Sequence, residues 1–309
     1  MSKRELLAIA LIGVGVGAAH AQEVRTSTLV IDGQRDKTYS NQKISTTSGP
    51  CVRMSNSSGI DLSNLQIGPC GTDNSQQDSQ GILISNSQNW RVVDSYIHVE
   101  RKASGCCDTH SGIVVRNSDD GLIQGNVIGF NETNIEVASG NGRSRRIKVI
   151  GNYLLNPRGP MPRGQNLQIY GENENLLNDD IEVADNYAIT DPKINTALST
   201  AQEDSLSFGY DSNTRVLRNY VIGGQSTSGA AITFDQGMVS GDMIDNLTHQ
   251  FNAGTQFTSG TGKITGNKNL VTDGVPNGAG IIVGTLGFAT SPCRGITVSG
   301  NVSASTSAG

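Results

Sequence analysis

One phrase recurs along this chain: an apolar residue, any residue, an apolar residue, two more, then Asn, any residue and an apolar one. It reads IDLSNLQI at Asn64, WRVVDSYI with Ser95 in the Asn place, and LIQGNVI at Asn126. It continues as IKVIGNYL at Asn152, IEVADNYAI at Asn186, RVLRNYVI at Asn219, DMIDNLT at Asn246, KITGNKNL at Asn267 and ITVSGNVS at Asn301. Copies lie about 20 to 35 residues apart, the spacing of solenoid repeats. A unit of this size cannot bury its own apolar face and must stack on a copy of itself. Asn suits the place because it tolerates the left-handed backbone that bends a chain between strands. Stacked in register, its amide can also bond to the Asn of the next coil.

Ahead of each phrase lies another short β-branched run. Ile82-Leu83-Ile84, Ile113-Val114-Val115, Ile135-Glu136-Val137, Leu167-Gln168-Ile169, Leu206-Ser207-Phe208, Ile232-Thr233-Phe234 and Ile281-Ile282-Val283 are the copies. Alternation with period two sends the outer members inward and Val114, Glu136, Gln168, Ser207 and Thr233 outward. No segment with helical periodicity competes after the first residues. The pattern predicts an all-β solenoid of roughly eight to ten coils, one domain over residues 22–309.

Residues 1–21 read as a secretory signal peptide: Lys3 and Arg4, an apolar run from Leu6 to Gly17, and Ala19-His20-Ala21 as the cleavage site. That run is too short to span a membrane, so a secreted or periplasmic chain is expected. The net charge is −5 and no basic tract occurs, which argues against nucleic acid as a partner. Five cysteines stand at 51, 70, 106, 107 and 293. An oxidising compartment permits disulfides, but the odd count leaves at least one thiol free or paired between chains, and the pairing stays open. No C-x-x-C occurs, so zinc is not indicated.

The candidate chemistry gathers around the first strands. Three places before them stand His110, Glu132 and Glu203, with Gly164 beside Arg163 in the equivalent place. Coils one strand spacing apart turn such a column into a ladder. Glu136 and Gln168 lie on the outward strip, Asp108 before it, and Tyr170, Tyr210, Asp211 and Asp235 after it. Asp108 can orient His110 as a general base or acid; equally, His110 can cap its loop. Glu203 and Asp204 with Asp235, or Glu132 with Glu136, offer the paired carboxyls of glycoside hydrolysis. The same oxygens could hold Ca2+. Asp119-Asp120 and Asp179-Asp180 read as solvated turn formers, and His98 as a structural strand residue.

The repeat resembles the parallel β-helix superfamily of pectate lyases, polygalacturonases, alginate lyases and mannuronan epimerases over most of residues 45–305. Within it, NPRGPMPRGQNLQIY, EDSLSFGYDS and SGAAITFDQG resemble a group of secreted bacterial β-helix proteins. The resemblance implies a right-handed parallel β-helix. Arg158-Gly159-Pro160-Met161-Pro162-Arg163 is similar to the R-x-P-x-x-R of pectate lyases, which implies Arg158 as a catalytic base. Prolines stiffen that loop, and its two guanidiniums suit a uronic acid carboxylate. The calcium-ligand aspartates and the W-x-D-H phrase of that family are not recognisable. Arg146-Ile147-Lys148 imitates a polygalacturonase motif but lies inside a repeat phrase, so it reads as structural.

The leading expectation is an enzyme that cleaves an acidic polysaccharide by β-elimination. Arg158 and Arg163 would neutralise the carboxylate, Arg158 or His110 would be the base, and Tyr170 or Tyr210 the acid. Glu132, Glu136, Gln168, Glu203, Asp204 and Asp235 would line the substrate. Glycoside hydrolysis through paired carboxylates, and a carbohydrate-binding or structural role without catalysis, are the alternatives.

Overall fold

The structure, a computed structural model, describes residues 22–72, 79–99, 111–138, 140, 142–158, 164–191, 202–223, 229–249, 252–271, 279–284 and 292–305. Among these every regular element is a strand and every strand pairing is parallel. Each coil contributes one strand to each of three sheets. The first sheet runs from Leu29–Asp32 to Ala279–Val283 through ten strands, so the described residues complete ten first strands. The second begins at Arg35–Ser40 and the third at Glu23–Arg25. This is a parallel β-helix, right-handed as crossovers between parallel strands are. No described helix is long and apolar enough to cross a membrane.

The alternation read from the sequence fixes the register. Ile113, Ile135, Leu167, Leu206 and Ile232 align across five successive coils and are wholly buried. Phe208, Phe234 and Phe257 stack edge-to-face inside the stack, with centroids 5.4 and 5.0 Å apart, the favoured arrangement of aromatic quadrupoles. Val114 corrects the simple inside–outside reading. It occupies the outward register with Glu136, Gln168, Ser207 and Thr233, yet it is wholly buried, as Glu136, Ser207 and Thr233 nearly are. The outer face of the first sheet is therefore covered in these coils, and outward does not mean solvated.

The Asn phrase becomes a ladder between the second and third sheets. Asn126 donates from its backbone N–H and its Nδ2 to Asn152 Oδ1, both at 3.0 Å, and from Nδ2 to Val92 O at 2.9 Å. The same set recurs at Asn152, Asn186, Asn219, Asn246 and Asn267, ending on Asn301. The bend itself is carried one place earlier, by Asn64, Asp94, Gly125, Gly151, Asp185, Arg218, Asp245, Gly266 and Gly300, all at positive φ. Two expectations are corrected. The ladder Asn residues are not the left-handed ones, and Asn64 stands in the bend position, so that Leu65 N–H meets Ser95 Oγ at 3.0 Å.

A second ladder turns the corner from the first sheet to the second. Backbone N–H groups of Ser57, Ser87 and Ser118 donate to the hydroxyls of Ser87, Ser118 and Ser144, and Ser144 N–H to Asn178 Oδ1 at 3.0 Å. Asp119 and Asp120, expected as solvated turn formers, instead form ion pairs with Arg145 and Arg146 of the next coil. Asp179 accepts bonds from Ser212 and Asn213. Parallel register sets these partners one strand spacing apart, and Arg146 is thereby structural, as the sequence suggests. Cys51 and Cys70 form a disulfide, and Cys293 is half-buried with its Sγ 3.7 Å from Phe257 O. Residues 1–21, Cys106 and Cys107 lie outside the described residues.

Candidate active site

Three consecutive first strands, Leu167–Tyr170, Leu206–Gly209 and Ala230–Phe234, bring the chemistry together. Tyr170 is in register with Gly209. Phe208 is in register with Phe234, so Asp235 stands opposite Gly209 in the third coil. A Cβ on Gly209 would lie 2.5 Å from Tyr170 Cε1. The bare glycine therefore lets the Tyr170 ring cross the middle coil. Its hydroxyl donates to Asp235 Oδ2 at 3.0 Å and lies 3.2 Å from Ser207 Oγ. Ser207 Oγ is 3.3 Å from Asp204 Oδ2, and the Ala230 N–H donates to Asp204 Oδ1 at 2.7 Å. Thr258 Oγ1 approaches the other Asp235 oxygen at 3.5 Å.

Four side chains thus form one hydrogen-bonded chain, Asp204–Ser207–Tyr170–Asp235, with a carboxyl at each end. Burial pushes the Asp204 carboxyl up to about 7, against the Ala230 N–H; the neighbouring charges of Glu203 and Asp235 push it further the same way. A carboxyl that keeps its proton near neutrality can act as a general acid. Burial, with the Asp235 charge beside it, holds the Tyr170 phenol well above its usual value. Tyr170 is therefore a neutral donor and not a base. Three hydrogen bonds laid end to end put the two carboxyls no more than about 9.5 Å apart, a bound that admits the separations of both retaining and inverting glycosidases.

The other expected residues distribute differently. Asp108, His110 and Arg163 lie outside the described residues. Glu132 and Glu136 are buried, and Glu136 accepts from Ser111 Oγ at 3.2 Å. Gln168 is half-buried on the outward strip between Glu136 and Ser207. Arg158 is half-buried, its guanidinium carbon 5.7 Å from the centroid of the Phe130 ring, a cation–π contact. Tyr210 does not join the chain. It turns the corner after its strand at positive φ, and its ring packs over Gly237. His98 stacks near Tyr96 with centroids 5.0 Å apart, away from the site. Among the described residues, no group of three or more His, Cys, Asp or Glu side chains is placed to hold a metal ion.

Sequence reasoning placed Tyr170, Asp204 and Asp235 in this area and missed Ser207 and Gly209 as parts of it. Ser207 was legible only as an outward residue. A glycine following SLSF carries no signal until the neighbouring tyrosine is known to reach across it.

Compared with solved structures, the fold is similar to that of the ORF18 protein of Geobacillus virus E2, with a TM-score of 0.57 and 12% identity over 91% of this chain and 53% of that one. It is also similar to the Dettilon tailspike protein, with a TM-score of 0.50 and 10% identity over 89% of this chain and 60% of the tailspike. In both cases this chain spans under two thirds of the other protein's length. At such identities the likeness is one of fold. No family model and no curated protein matches the sequence.

Proposed function

We propose that the chain is a secreted carbohydrate-active enzyme that hydrolyses a glycosidic bond, with Asp204 as general acid and Asp235 as general base. The observation that carries this reading is the pair of carboxyls at opposite ends of one hydrogen-bonded chain, held in unequal environments. Asp204 keeps a proton for the leaving oxygen, while Asp235, in reach of the Tyr170 hydroxyl and not of the Ala230 N–H, is the carboxyl assigned to take a proton from water. Unequal environments are how two like carboxyls divide acid and base roles. Gln168, half-buried on the same strip in Tyr170's own strand, extends it as a polar group. The substrate class rests on the fold's resemblance to polysaccharide-acting proteins and on this acid–base pair. Elimination at a uronic acid would instead draw on Arg158, Arg163 and His110.

A screen of neutral and acidic glycans, with calcium and with chelator, tests the proposal. Hydrolysis releases reducing ends without new ultraviolet absorbance; elimination leaves a conjugated double bond that absorbs. Asp204→Asn and Asp235→Asn should each lower turnover about 100- to 10,000-fold, the scale of a lost general acid or base. Activity should fall as pH rises through about 7, where Asp204 loses its proton. Full activity in both variants, or an absorbing product, would sink the hydrolytic reading.

A further inference from the structure

The Asp204–Ser207–Tyr170–Asp235 chain contains three hydrogen bonds, and each needs one hydrogen. Ser207 and Tyr170 supply one hydroxyl hydrogen apiece. The third must come from one of the two carboxyls. The complete chain therefore needs at least one proton on the pair, and when the pair holds one, its position sets the polarity. With the proton on Asp204, that carboxyl donates to Ser207, Ser207 to Tyr170, and Tyr170 to Asp235. With the proton on Asp235, all three bonds run the other way.

We propose that this chain is a proton relay that resets the site after each turnover, and that Gly209 is the positioning residue that allows it. The inference rests on the hydrolytic reading above. In the reaction the glycosidic C–O bond breaks and its oxygen takes the Asp204 proton. Water adds its oxygen to the anomeric carbon and gives its proton to Asp235. Both carboxyls are then in the wrong state for a second turnover. The reset moves one proton at each link: Asp235 to the Tyr170 oxygen, Tyr170 to the Ser207 oxygen, Ser207 to Asp204 Oδ2. When the three protons move together, one net proton passes from Asp235 to Asp204 and no charge accumulates on either hydroxyl, so neither tyrosinate nor alkoxide forms. The links at 3.0, 3.2 and 3.3 Å are all within hydrogen-bonding reach. Glu203 is the further carboxylate whose charge faces Asp204, and Thr258 is the further hydroxyl at Asp235.

Gly209 acts through Tyr170. Its strand has no positive φ at this position, so space alone demands glycine: an added Cβ would sit 2.5 and 2.8 Å from two ring carbons of Tyr170. Gly209→Ala would push the ring off the middle coil and take its hydroxyl away from Asp235.

The test is a pH titration of the whole chain by carbon-13 NMR, with aspartate labelled at Cγ and tyrosine at Cζ. In the wild type, Asp204, Asp235 and Tyr170 Cζ should move with one shared midpoint, because one proton changes the bonding at every link. Ser207→Ala removes a link without changing either carboxyl. Asp204 should still titrate in it, while Tyr170 Cζ and Asp235 no longer follow. Tyr170→Phe, a second break, should likewise silence Asp235 at that midpoint. Gly209→Ala should match Ser207→Ala, provided its β-sheet circular dichroism is that of the wild type. A Tyr170 Cζ step that persists unchanged in Ser207→Ala would show coupling through space and overturn the relay. Its absence in the wild type would overturn it too, and its persistence in Gly209→Ala would overturn the positioning role. The titration needs no substrate, so the relay and the hydrolytic reading can fail separately.

Discussion

Two hydrogen-bonded networks cross the same stack of coils and obey opposite rules. The Asn ladder between the second and third sheets uses one residue type at one place in coil after coil. Each amide accepts from the coil before it and donates to the coil after it, and all of its members from Asn126 to Asn267 are buried. The chain on the first sheet uses four residues of three kinds, spans three coils once, and ends in half-buried carboxyls. The ladder is neutral and satisfied everywhere, which stabilises. The acidic chain crowds two carboxyls together and raises the pKa of one of them, which costs stability and creates reactivity. In this solenoid the proposed function sits where the copying from coil to coil stops.

The sharpest way to break this contrast is to move a charge by one residue. Glu136 is an acid that the fold already tolerates on the outward register, with Ser111 Oγ to bond. Ile135, its neighbour, is wholly buried among aligned aliphatic residues of the adjoining coils. Ile135→Asp should abolish folding, since an unpaired buried carboxylate costs several kcal/mol. Circular dichroism and soluble yield read the result. A folded variant with wild-type thermal stability would reverse the inward assignment.

Breaking a rung comes next. Asn186→Ala leaves the Asn152 N–H without its acceptor, takes one bond from Asn152 Nδ2, which keeps the Ile123 and Ile150 carbonyls, and removes the Nδ2 donor from the Val149 carbonyl. At about 1 to 3 kcal/mol for the buried N–H left unsatisfied and about 1 kcal/mol for each further bond lost, the loss should be about 3 kcal/mol or more by denaturant unfolding. Carbon-13 titration of Asp204 should be unchanged in the same variant, because the ladder and the acidic chain share no residue. A shifted Asp204 midpoint would show that the two networks are coupled.

The sequence made these two networks unequally legible. The ladder repeats, so nine imperfect copies corroborate each other, and a slip such as the one at Asn64 is outvoted by the rest. The inward residues follow from period two for the same reason. What covers the outer face of the first sheet is not encoded in that period, and so buried Val114 could not be told from a solvated residue. The acidic chain occurs once. Its members lie at 170, 204, 207 and 235, and only the parallel register sets Tyr170 opposite Gly209 and Gly209 opposite Asp235. Carboxyls and tyrosines are recognisable as chemistry in a sequence. A serine and a glycine that complete a path between them are not.

The smallest expected effect comes from the place where the second ladder is interrupted. Asp211 follows Asn178 in the corner column that Ser57, Ser87, Ser118 and Ser144 begin, and it is wholly buried. Neither of its oxygens makes a hydrogen bond among the described residues, and Asn178 Nδ2 beside it is unpaired as well. Burial, reinforced by the charge of Asp179, pushes its carboxyl well above the ordinary value. The sign follows from linkage. With the folded pKa raised, the unfolded chain releases this proton first, so stability is full below about pH 3.9 and declines as pH rises toward the folded value. Asp204 contributes a decline of the same sign, but it is common to wild type and variant and cancels in their difference. Asp211→Asn removes the titrating group, keeps the shape and supplies a neutral amide to the column. At pH 5, about one unit above the unfolded pKa, the variant should be more stable than wild type by about 1.4 kcal/mol, the energy of one pKa unit. The gap should close at pH 3 and widen toward neutrality. Parallel stability curves from pH 3 to 7 would mean that Asp211 ionises as freely in the folded corner as in the unfolded chain.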